Sequence, residues 1–464
     1  MRNVSEGENR AEKTQHQRMM QEPIPRLVTA MAIPTMLTML ITVIYNTADT
    51  YFVSQIGKSA SAAVGAVYAV MSVIQTVGYG LGMGAGSLIS RKLGARDCAA
   101  AERYASSAFF AALLLGSVIG GAGLVFLRPL MRLIGCSDTM LTHAEPYARY
   151  ILAAAPLTCP SFVLNNILRA EGHTSLSMWG MMAGGILNML LDPWLIFSCD
   201  MGTGGAALAT AVSQTVSFVI LLTAFIFRKT TVRIRLRSVS RSLRDYGQIL
   251  TTGFPTVCRQ GLGSVAAICL TRQANLYSGD AAVSAINIAN KVYMLVRNLV
   301  IGIGQGFQPV AGYNYGAGNK RRTREAFRFA TLVGSVMTVL SAIVIALLSR
   351  SIMERFIADA EVVEIGRRTL LWGCAVMPLL AFSTFVNQLY QCLGFKLPAT
   401  FLASCRQGVF YLPAVFLLPI GLGLTGVELA QPVADLGTAV ISVPFLVFFL
   451  RRHLSDDVPS DSHA

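Results

Sequence analysis

Charged residues are scarce in this chain. Asp, Glu, Lys and Arg make up 13% of its 464 residues, against about 25% in a typical soluble protein. Hydrophobic residues make up 53%, and the mean hydropathy is +0.55. Uncharged runs long enough to cross a bilayer lie at 59–90, 172–191, 201–227, 330–349 and 369–395. The composition excludes an ordinary soluble domain and predicts an all-α polytopic membrane protein, because these runs are too long for the strands of a membrane barrel.

The groups that many enzymes need are also missing. The sequence contains no P-loop, no Ser/His/Asp arrangement and no CxxC motif, and its five histidines lie mainly in predicted tails and loops. ATP hydrolysis within the chain is therefore not expected. The nine cysteines are scattered, mostly within predicted helices, and indicate small apolar residues rather than a disulfide framework. We predict a protein that is not an enzyme and that carries no cofactor.

The apolar runs predict twelve transmembrane helices. These helices lie at 27–53, 60–89, 103–126, 145–168, 174–198, 203–227, 247–274, 282–312, 326–349, 366–393, 397–420 and 424–450. Lys and Arg outside them concentrate in alternate connecting segments, chiefly before residue 27 and at 91–103, 228–244 and 320–328. Such basic segments remain in the cytoplasm, which places both termini there. The net charge of +14 thus reflects topology and contacts with membrane lipids, so no nucleic-acid partner is expected.

The two halves of the chain repeat one backbone plan. At a shift of 222 residues, Gly57 falls on Gly279, and the glycines at 80, 82 and 84 fall on those at 302, 304 and 306. These triplets follow no strand, so they indicate close helix packing rather than a nucleotide site. Six helices per half is an even number, so both halves enter the membrane from the same side. Two parallel six-helix repeats are typical of secondary transporters, which hold substrate between the halves.

The repeat sets the predicted domain organisation. Helices 1–6 form an N-lobe and helices 7–12 a C-lobe, with a basic linker between them. The predicted boundaries are a cytoplasmic tail at 1–26, the N-lobe at 27–227, a cytoplasmic linker at 228–246, the C-lobe at 247–450 and a second cytoplasmic tail at 451–464.

Two carboxylates lie within predicted spans of the N-lobe. Asp49 follows an uncharged run in helix 1, and Asp192 lies at a similar depth in helix 5. Asn188 shares a helix face with Asp192, and Thr210 in helix 6 reaches the same layer. Pro193 has no N–H group, which frees a backbone carbonyl one turn earlier. Oxygen ligands suit H⁺ or Na⁺, so the set predicts a cation-coupling site, with a structural hydrogen-bond cluster as the alternative.

The C-lobe does not repeat these carboxylates. It carries Arg259, Lys291 and Arg297 within predicted spans, together with Asp435 in helix 12. Two interpretations stay open: Asp435 pairs with one of these cations, or the cations form a basic surface toward a substrate with an anionic group. Arg406 is expected to extend its guanidinium toward the membrane surface. The residues predicted to line a substrate cavity are Tyr45, Arg259, Gln260, Gln305, Asn387 and Gln388.

Together these motifs resemble the multidrug and toxic compound extrusion (MATE) family over essentially all twelve helices. The strings that carry the resemblance are Tyr45–Asp49, Asn188-x-x-x-Asp192-Pro193, Gly204-Gly205-Ala206-Ala207-x-Ala209-Thr210, Gln308-Pro309-x-x-Gly312-Tyr313-Asn314-Tyr315-Gly316-Ala317 and Ser404-x-Arg406-Gln407-Gly408. The resemblance implies export of amphipathic, often cationic small molecules in exchange for H⁺ or Na⁺. It also implies an N-lobe site for that ion at Asp49, Asn188, Asp192 and Thr210, with Tyr45 adjacent.

One departure from the family pattern concerns helix 7. Some members have a carboxylate early in this helix that serves a C-lobe cation site, whereas this chain has Arg259-Gln260. The chain is therefore more similar to the bacterial branch that couples through the N-lobe, and Arg259 weakens the presumption that every substrate is cationic. We expect a monomeric multidrug efflux transporter of the bacterial cytoplasmic membrane. A lipid-linked precursor flippase of the same two-lobed plan is the alternative, disfavoured by twelve spans, and a membrane-embedded enzyme is a weaker one.

Overall fold

The computed structural model describes residues 15–227, 230–357 and 359–453, and every regular element in these ranges is helical. The helices are α1 (Ile24–Ile56), α2 (Lys58–Gly94), α3 (Cys98–Val125), α4 (Leu127–Leu133), α5 (Asp138–Ala170), α6 (Thr174–Pro193), α7 (Gly202–Ile226), α8 (Leu243–Gly316), α9 (Lys320–Phe356), α10 (Ala360–Leu393), α11 (Lys396–Ser404), α12 (Tyr411–Leu422) and α13 (Leu424–His453). A π-helical turn at Trp194–Ser198 follows α6, another at Cys405–Phe410 joins α11 to α12, and a short 3₁₀ turn spans Leu236–Ser238. The prediction of an all-α protein is confirmed.

Ten of the twelve predicted spans coincide with helices that are long and apolar enough to cross a membrane. The other two lie in α8, which contains 74 residues. A straight helix of that length would measure roughly 110 Å, more than three times a bilayer core. Gly279 has a φ of 61°, a left-handed conformation that a continuous α-helix does not contain. Because Gly279 falls between predicted helices 7 and 8, we assign one span to each side of it.

The helices form two compact units. Within the described residues, the first unit consists of the residues up to Met20 together with Leu37–Gly253, and the second consists of Gln21–Met36 together with the residues from Phe254 onward. The unit boundaries fall inside α1 and α8, so each of these helices contributes residues to both units. Among the ten spanning helices α5 is the most buried, with 83% of its apolar window covered. This burial makes α5 the central helix of the first unit.

Close helix contacts occur at corresponding glycines of the repeat. In the first unit, a Cβ atom on Gly84 would lie 2.1 Å from the carbonyl oxygen of Ile249. In the second unit, a Cβ atom on Gly306 would lie 2.5 Å from the backbone nitrogen of Ala32. Cβ contacts below 3.0 Å are essentially never found, so neither position accommodates a side chain. The helix-packing role predicted for the repeated glycines is confirmed at both positions.

A buried carboxylate at the end of α5 holds the linker segment between the two halves of the chain by hydrogen bonds. Glu171 has no exposed surface, and its carboxylate accepts hydrogen bonds from the backbone N–H groups of Thr231 (3.0 Å) and Val232 (3.1 Å). The Gln15 side chain donates to the Glu171 carbonyl oxygen at 2.5 Å. Burial raises the pKa of Glu171 to about 8, although the two N–H donors act in the opposite direction. At neutral pH the folded protein therefore holds this carboxyl group mainly in its protonated form.

We expect Glu171 to make the protein less stable as the pH rises from 6.5 to 8. A raised carboxyl pKa gives stability that is complete below the unfolded-state pKa near 4.5 and is lost as the pH passes through the folded-state pKa near 8. The apparent melting temperature in detergent should fall by about 2–5 °C over this window in the native chain and fall less in Glu171→Gln. The neighbouring His173 imidazole, 3.9 Å away, has a pKa lowered by burial and stays neutral there. A Glu171→Gln protein with the native pH slope would contradict this assignment.

Candidate functional site: a carboxylate pair in the first unit

Three of the four residues predicted to hold a cation are joined by hydrogen bonds between α6 and α7. Asn188 and Asp192 lie one turn apart on α6, and the Asn188 Nδ2 donates to Asp192 Oδ1 at 3.2 Å. The same Nδ2 lies 3.3 Å from Thr210 Oγ1 on α7. All three side chains are buried, and Asp192 has no exposed surface. The amide of Asn188 therefore links one carboxylate and one hydroxyl between two helices.

Asp49 on α1 supplies the second carboxylate of this site. Its charge acts on Asp192, which places the two carboxylates in one electrostatic environment. Asp49 Oδ1 and Asp192 Oδ2 are both inaccessible, and neither has a hydrogen-bond partner among the described residues. A buried acceptor without a partner costs roughly 1–3 kcal/mol. Two such oxygens beside an amide and a hydroxyl form a set that a proton or a hard cation would complete.

The backbone near Asp192 departs from regular α-helix. Pro193 ends α6 and has no N–H group, so the carbonyl of Met189 lacks its usual intrahelical partner. The π-helical turn follows at once and is closed by a hydrogen bond from the Cys199 N–H to the Trp194 carbonyl at 3.0 Å. Single π-turns of this kind occur frequently at functional sites. The free carbonyl of Met189 therefore lies about one turn before the π-helical turn, on the same stretch of α6 as Asp192.

Two tyrosines, Tyr45 and Tyr147, belong to the surroundings of the carboxylate pair, and only Tyr45 was predicted from the sequence. Tyr45 lies against α6, where a Cβ on Gly185 would come within 3.0 Å of its ring. Tyr147 on α5 is buried, and the charges of Asp49 and Asp192 both act on it. Tyr147 lies near the start of predicted helix 4, but its residue type is common at membrane interfaces. No feature of the sequence distinguished it from an ordinary interfacial tyrosine.

In the second unit, Asp435 on α13 is paired, but with a cation that the sequence did not suggest. Its Oδ1 accepts hydrogen bonds from Arg406 Nε at 2.6 Å and from Gln431 Nε2 at 3.0 Å. Its Oδ2 accepts the hydroxyl hydrogen of Tyr293. The interpretation that Asp435 pairs with Arg259, Lys291 or Arg297 is therefore wrong, and so is the expectation that Arg406 reaches the membrane surface. The pairing depends on how α13 is rotated toward the Cys405–Phe410 turn, which charge spacing along the chain does not fix.

The other residues predicted to line a substrate cavity have different surroundings. Gln260 is exposed and Arg259 is half-buried. Gln305, Asn387 and Gln388 are buried; Asn387 Nδ2 donates to the Ala399 carbonyl at 2.7 Å, so it connects α10 to α11. A cavity role for these residues stays a prediction.

Comparison with known proteins gives consistent results over most of the chain. The MatE family model matches residues 34–194 and 255–417, once in each predicted repeat. The multidrug export protein MepA of Staphylococcus aureus (strain MSSA476) is 25% identical over 436 residues, which are 94% of this chain and 96% of MepA. A multidrug resistance MATE family transporter of the MOP superfamily, solved in an outward-facing conformation, superposes with a TM-score of 0.89 and 27% identity over 94% of this chain and 97% of its own.

A further solved structure of this architecture comes from an archaeal transporter. A MOP superfamily transporter from Pyrococcus furiosus superposes with a TM-score of 0.87 and 26% identity, covering 94% of this chain and 98% of that chain. It is described as having a binding pocket of reversed polarity that suggests a different function.

Proposed function

The chain belongs to the MatE family, and from that premise we propose that it is a multidrug efflux transporter driven by the opposite movement of H⁺ or Na⁺. The substrates would be amphipathic organic small molecules, and transport would follow an alternating-access cycle. The match to MepA along nearly the whole length of both proteins supports multidrug export. The choice between H⁺ and Na⁺ is left to experiment.

The observation that carries the coupling proposal is the pair of buried, unpartnered carboxylate oxygens on Asp49 and Asp192. Two carboxylates in surroundings of low dielectric constant are not both stable as free anions. A bound proton or sodium ion neutralises the pair, and its release restores the repulsion between the carboxylates. Occupied and empty states would therefore favour different conformations, which is what coupling requires.

Orientation and assembly complete the proposal. We place both termini in the cytoplasm of a bacterial cell, supported by the concentration of Lys and Arg in alternate connecting segments. One copy of the chain carries both repeats, so a monomer suffices as the working unit. The family does not fix the charge of the substrate, because one similar transporter has a pocket of reversed polarity.

The proposal is tested with the purified chain in proteoliposomes that are loaded with a fluorescent dye such as ethidium. An inward H⁺ gradient and an inward Na⁺ gradient are imposed separately, at zero membrane potential. We expect one of the two gradients to accelerate dye efflux several-fold over the rate without a gradient. Equal efflux under all three conditions would refute the exchange mechanism, and single-channel currents would indicate a channel.

Replacing Thr210 by Val should weaken binding of the coupling ion without unfolding the site. The substitution keeps the shape of the side chain and removes the hydroxyl that lies 3.3 Å from Asn188 Nδ2. A lost hydrogen bond of this kind corresponds to about 1 kcal/mol, or roughly fivefold in affinity. The half-saturating concentration of the coupling ion in the efflux assay should rise about three- to tenfold, with little change in the maximal rate.

Thr215→Val is the matched control for this variant. Thr215 lies on the same helix, but its hydroxyl bonds only to the carbonyl of Ala211, at 2.8 Å. We expect native ion dependence in Thr215→Val. If Thr210→Val also shows the native ion dependence, the Thr210 hydroxyl is not part of the ion site.

A further inference from the structure

The second unit contains three arginines in the middle of predicted spans, Arg259, Arg297 and Arg406, and among the described residues one carboxylate, Asp435, contacts them. Arg406 bonds to Asp435 Oδ1 at 2.6 Å. Gln431 and Tyr293 donate to the same carboxylate. Asp435 is almost fully buried, and donors already occupy both of its oxygens. This carboxylate therefore compensates Arg406, the one guanidinium among the described residues that contacts it.

Arg259 and Arg297 have no carboxylate in contact with them among the described residues, and Asp435 acts on Arg297 only through its charge. No carboxylate of the described residues forms a salt bridge with either side chain, and the Arg297 Nε is inaccessible and without a hydrogen-bond partner. The charge of Arg406 acts on both of them, and the charge of Arg259 acts on Arg297. Both are half-buried rather than sealed inside the unit. Two unpaired guanidinium groups thus share one region of the membrane-spanning part.

Contacts between helices explain why these arginines meet. A Cβ on Gly408 would lie 3.0 Å from Leu262 Cδ1, so the Cys405–Phe410 turn packs against the part of α8 that carries Arg259. Arg406 Nη2 lies 3.5 Å from the Tyr293 hydroxyl. Tyr293 lies one helical turn before Arg297 on α8, so Arg406 is close to the part of α8 that carries Arg297. A π-helical turn at Arg406 is the kind of irregularity that is frequent at functional sites.

We propose that Arg259 and Arg297, with Arg406 behind them, form a binding site for the anionic group of an amphipathic organic molecule. Isolated cations in a membrane interior are costly and mark substrate or ion pathways. The planar guanidinium fork matches the oxygens of carboxylate, sulfonate and phosphate groups. That the occupant is a transported compound rests on the proposed efflux function. The site extends the range of substrates to compounds that carry a negative charge.

Two probes that differ in charge test the proposal. 8-Anilinonaphthalene-1-sulfonate carries an anionic sulfonate, and N-phenyl-1-naphthylamine has the same aromatic system without it. Each probe is titrated by fluorescence into the full-length protein in neutral detergent, with empty micelles as the blank. Arg259→Gln and Arg297→Gln should each weaken binding of the sulfonate probe about tenfold or more, and should change binding of the neutral probe less than twofold.

Lys291→Gln is the matched control for charge. Lys291 is exposed and lies on the same helix as Arg297, so its removal lowers the net charge equally but should leave both probes bound as in the native chain. Arg297→Lys keeps the charge without the fork, and an affinity between those of the native protein and Arg297→Gln is expected. The melting temperature of Arg297→Gln should equal or exceed the native value, because an uncompensated cation has been removed. This readout separates loss of binding from loss of fold.

The anionic group has two sources, a soluble compound or a phospholipid headgroup. Short-chain dihexanoylphosphatidylglycerol, below its micellar concentration, is added as a competitor of the sulfonate probe, with dihexanoylphosphatidylcholine as the zwitterionic counterpart. Displacement by the glycerol lipid alone supports the site and shows that it accepts headgroups, whereas no displacement by either lipid supports a site for soluble anions. Equal displacement by both lipids would overturn the proposal.

Two further results would overturn it. One is native affinity for the sulfonate probe in both arginine variants, and the other is an equal loss of both probes. Gradient-driven ethidium efflux, measured in the same variants, keeps this proposal separate from the efflux function. If the arginine variants keep both gradient-driven efflux and native sulfonate binding, the anion site is refuted and the efflux function is not. Absence of gradient-driven efflux in the native chain refutes the exchange mechanism, while the titration still decides whether the anion site exists.

Discussion

Replacing Asp192 by Asn is expected to reduce gradient-driven dye efflux about 10- to 100-fold while leaving the protein folded. The substitution keeps the size of the side chain and removes the charge that a coupling ion would balance. Coupling free energies of 1–3 kcal/mol correspond to changes of about 5- to 150-fold. The melting temperature should not fall, because an amide is cheaper to bury than a carboxylate with an unpartnered oxygen. The measurement is ethidium efflux from proteoliposomes under the gradient that drives the native protein.

Asp49→Asn should give the same loss, since both carboxylates face the exchanged ion in this account. Asp200→Asn is the matched control, because Asp200 lies shortly after Asp192 in the chain and is exposed. Its positive φ of 53° is also a conformation that Asn tolerates well. Native efflux in Asp192→Asn, or an equal loss in Asp200→Asn, would show that the carboxylate pair is not specifically involved.

The second large effect is expected at Asp435, on stability rather than on transport. Asp435→Asn removes the carboxylate that Arg406 contacts at 2.6 Å and leaves a guanidinium that is only 16% exposed beside two further unpaired arginines. Breaking a buried ion pair from one side typically costs about 3–5 kcal/mol. The free energy of unfolding, measured by titration with sodium dodecyl sulfate, should decrease by roughly this amount.

A double variant separates this effect from a general sensitivity of the helix. Adding Arg406→Gln to Asp435→Asn removes the stranded charge and should restore at least about half of the lost stability. Glu354→Gln is the surface control, because its partner Arg350 and Glu354 are both exposed and such pairs contribute little. If the double variant is no more stable than Asp435→Asn, the loss has a cause other than the uncompensated arginine.

Residues that stand out chemically could be found from the sequence. Asp49 and Asp192 are carboxylates at the ends of long uncharged runs, and the cost of such groups in a membrane singles them out. The i, i+4 spacing then links Asn188 to Asp192, and the shared depth of helices 5 and 6 adds Thr210. The structure brings Asn188, Asp192 and Thr210 into hydrogen-bond contact.

Pairings across helices could not be found in this way. Arg406 and Asp435 meet because of the relative rotation of two helices, and periodicity gives only the depth of a residue and not the neighbour that it faces. For the same reason Tyr147 could not be predicted as part of the site, because it differs from other tyrosines only in its neighbours. The hydrogen bonds of Glu171 join it to a segment about sixty residues later, and no local pattern encodes a contact with irregular backbone.

In the proposed mechanism, the carboxylate pair binds and releases a coupling ion as substrate moves in the opposite direction. The most direct test imposes a dye gradient on proteoliposomes that have no gradient of pH or Na⁺, and follows intravesicular pH with pyranine and ²²Na⁺ uptake in parallel. We expect dye efflux to drive one of the two cations inward in the native chain and neither in Asp192→Asn. Dye movement without movement of either cation, or cation uptake that persists in Asp192→Asn, would contradict this mechanism.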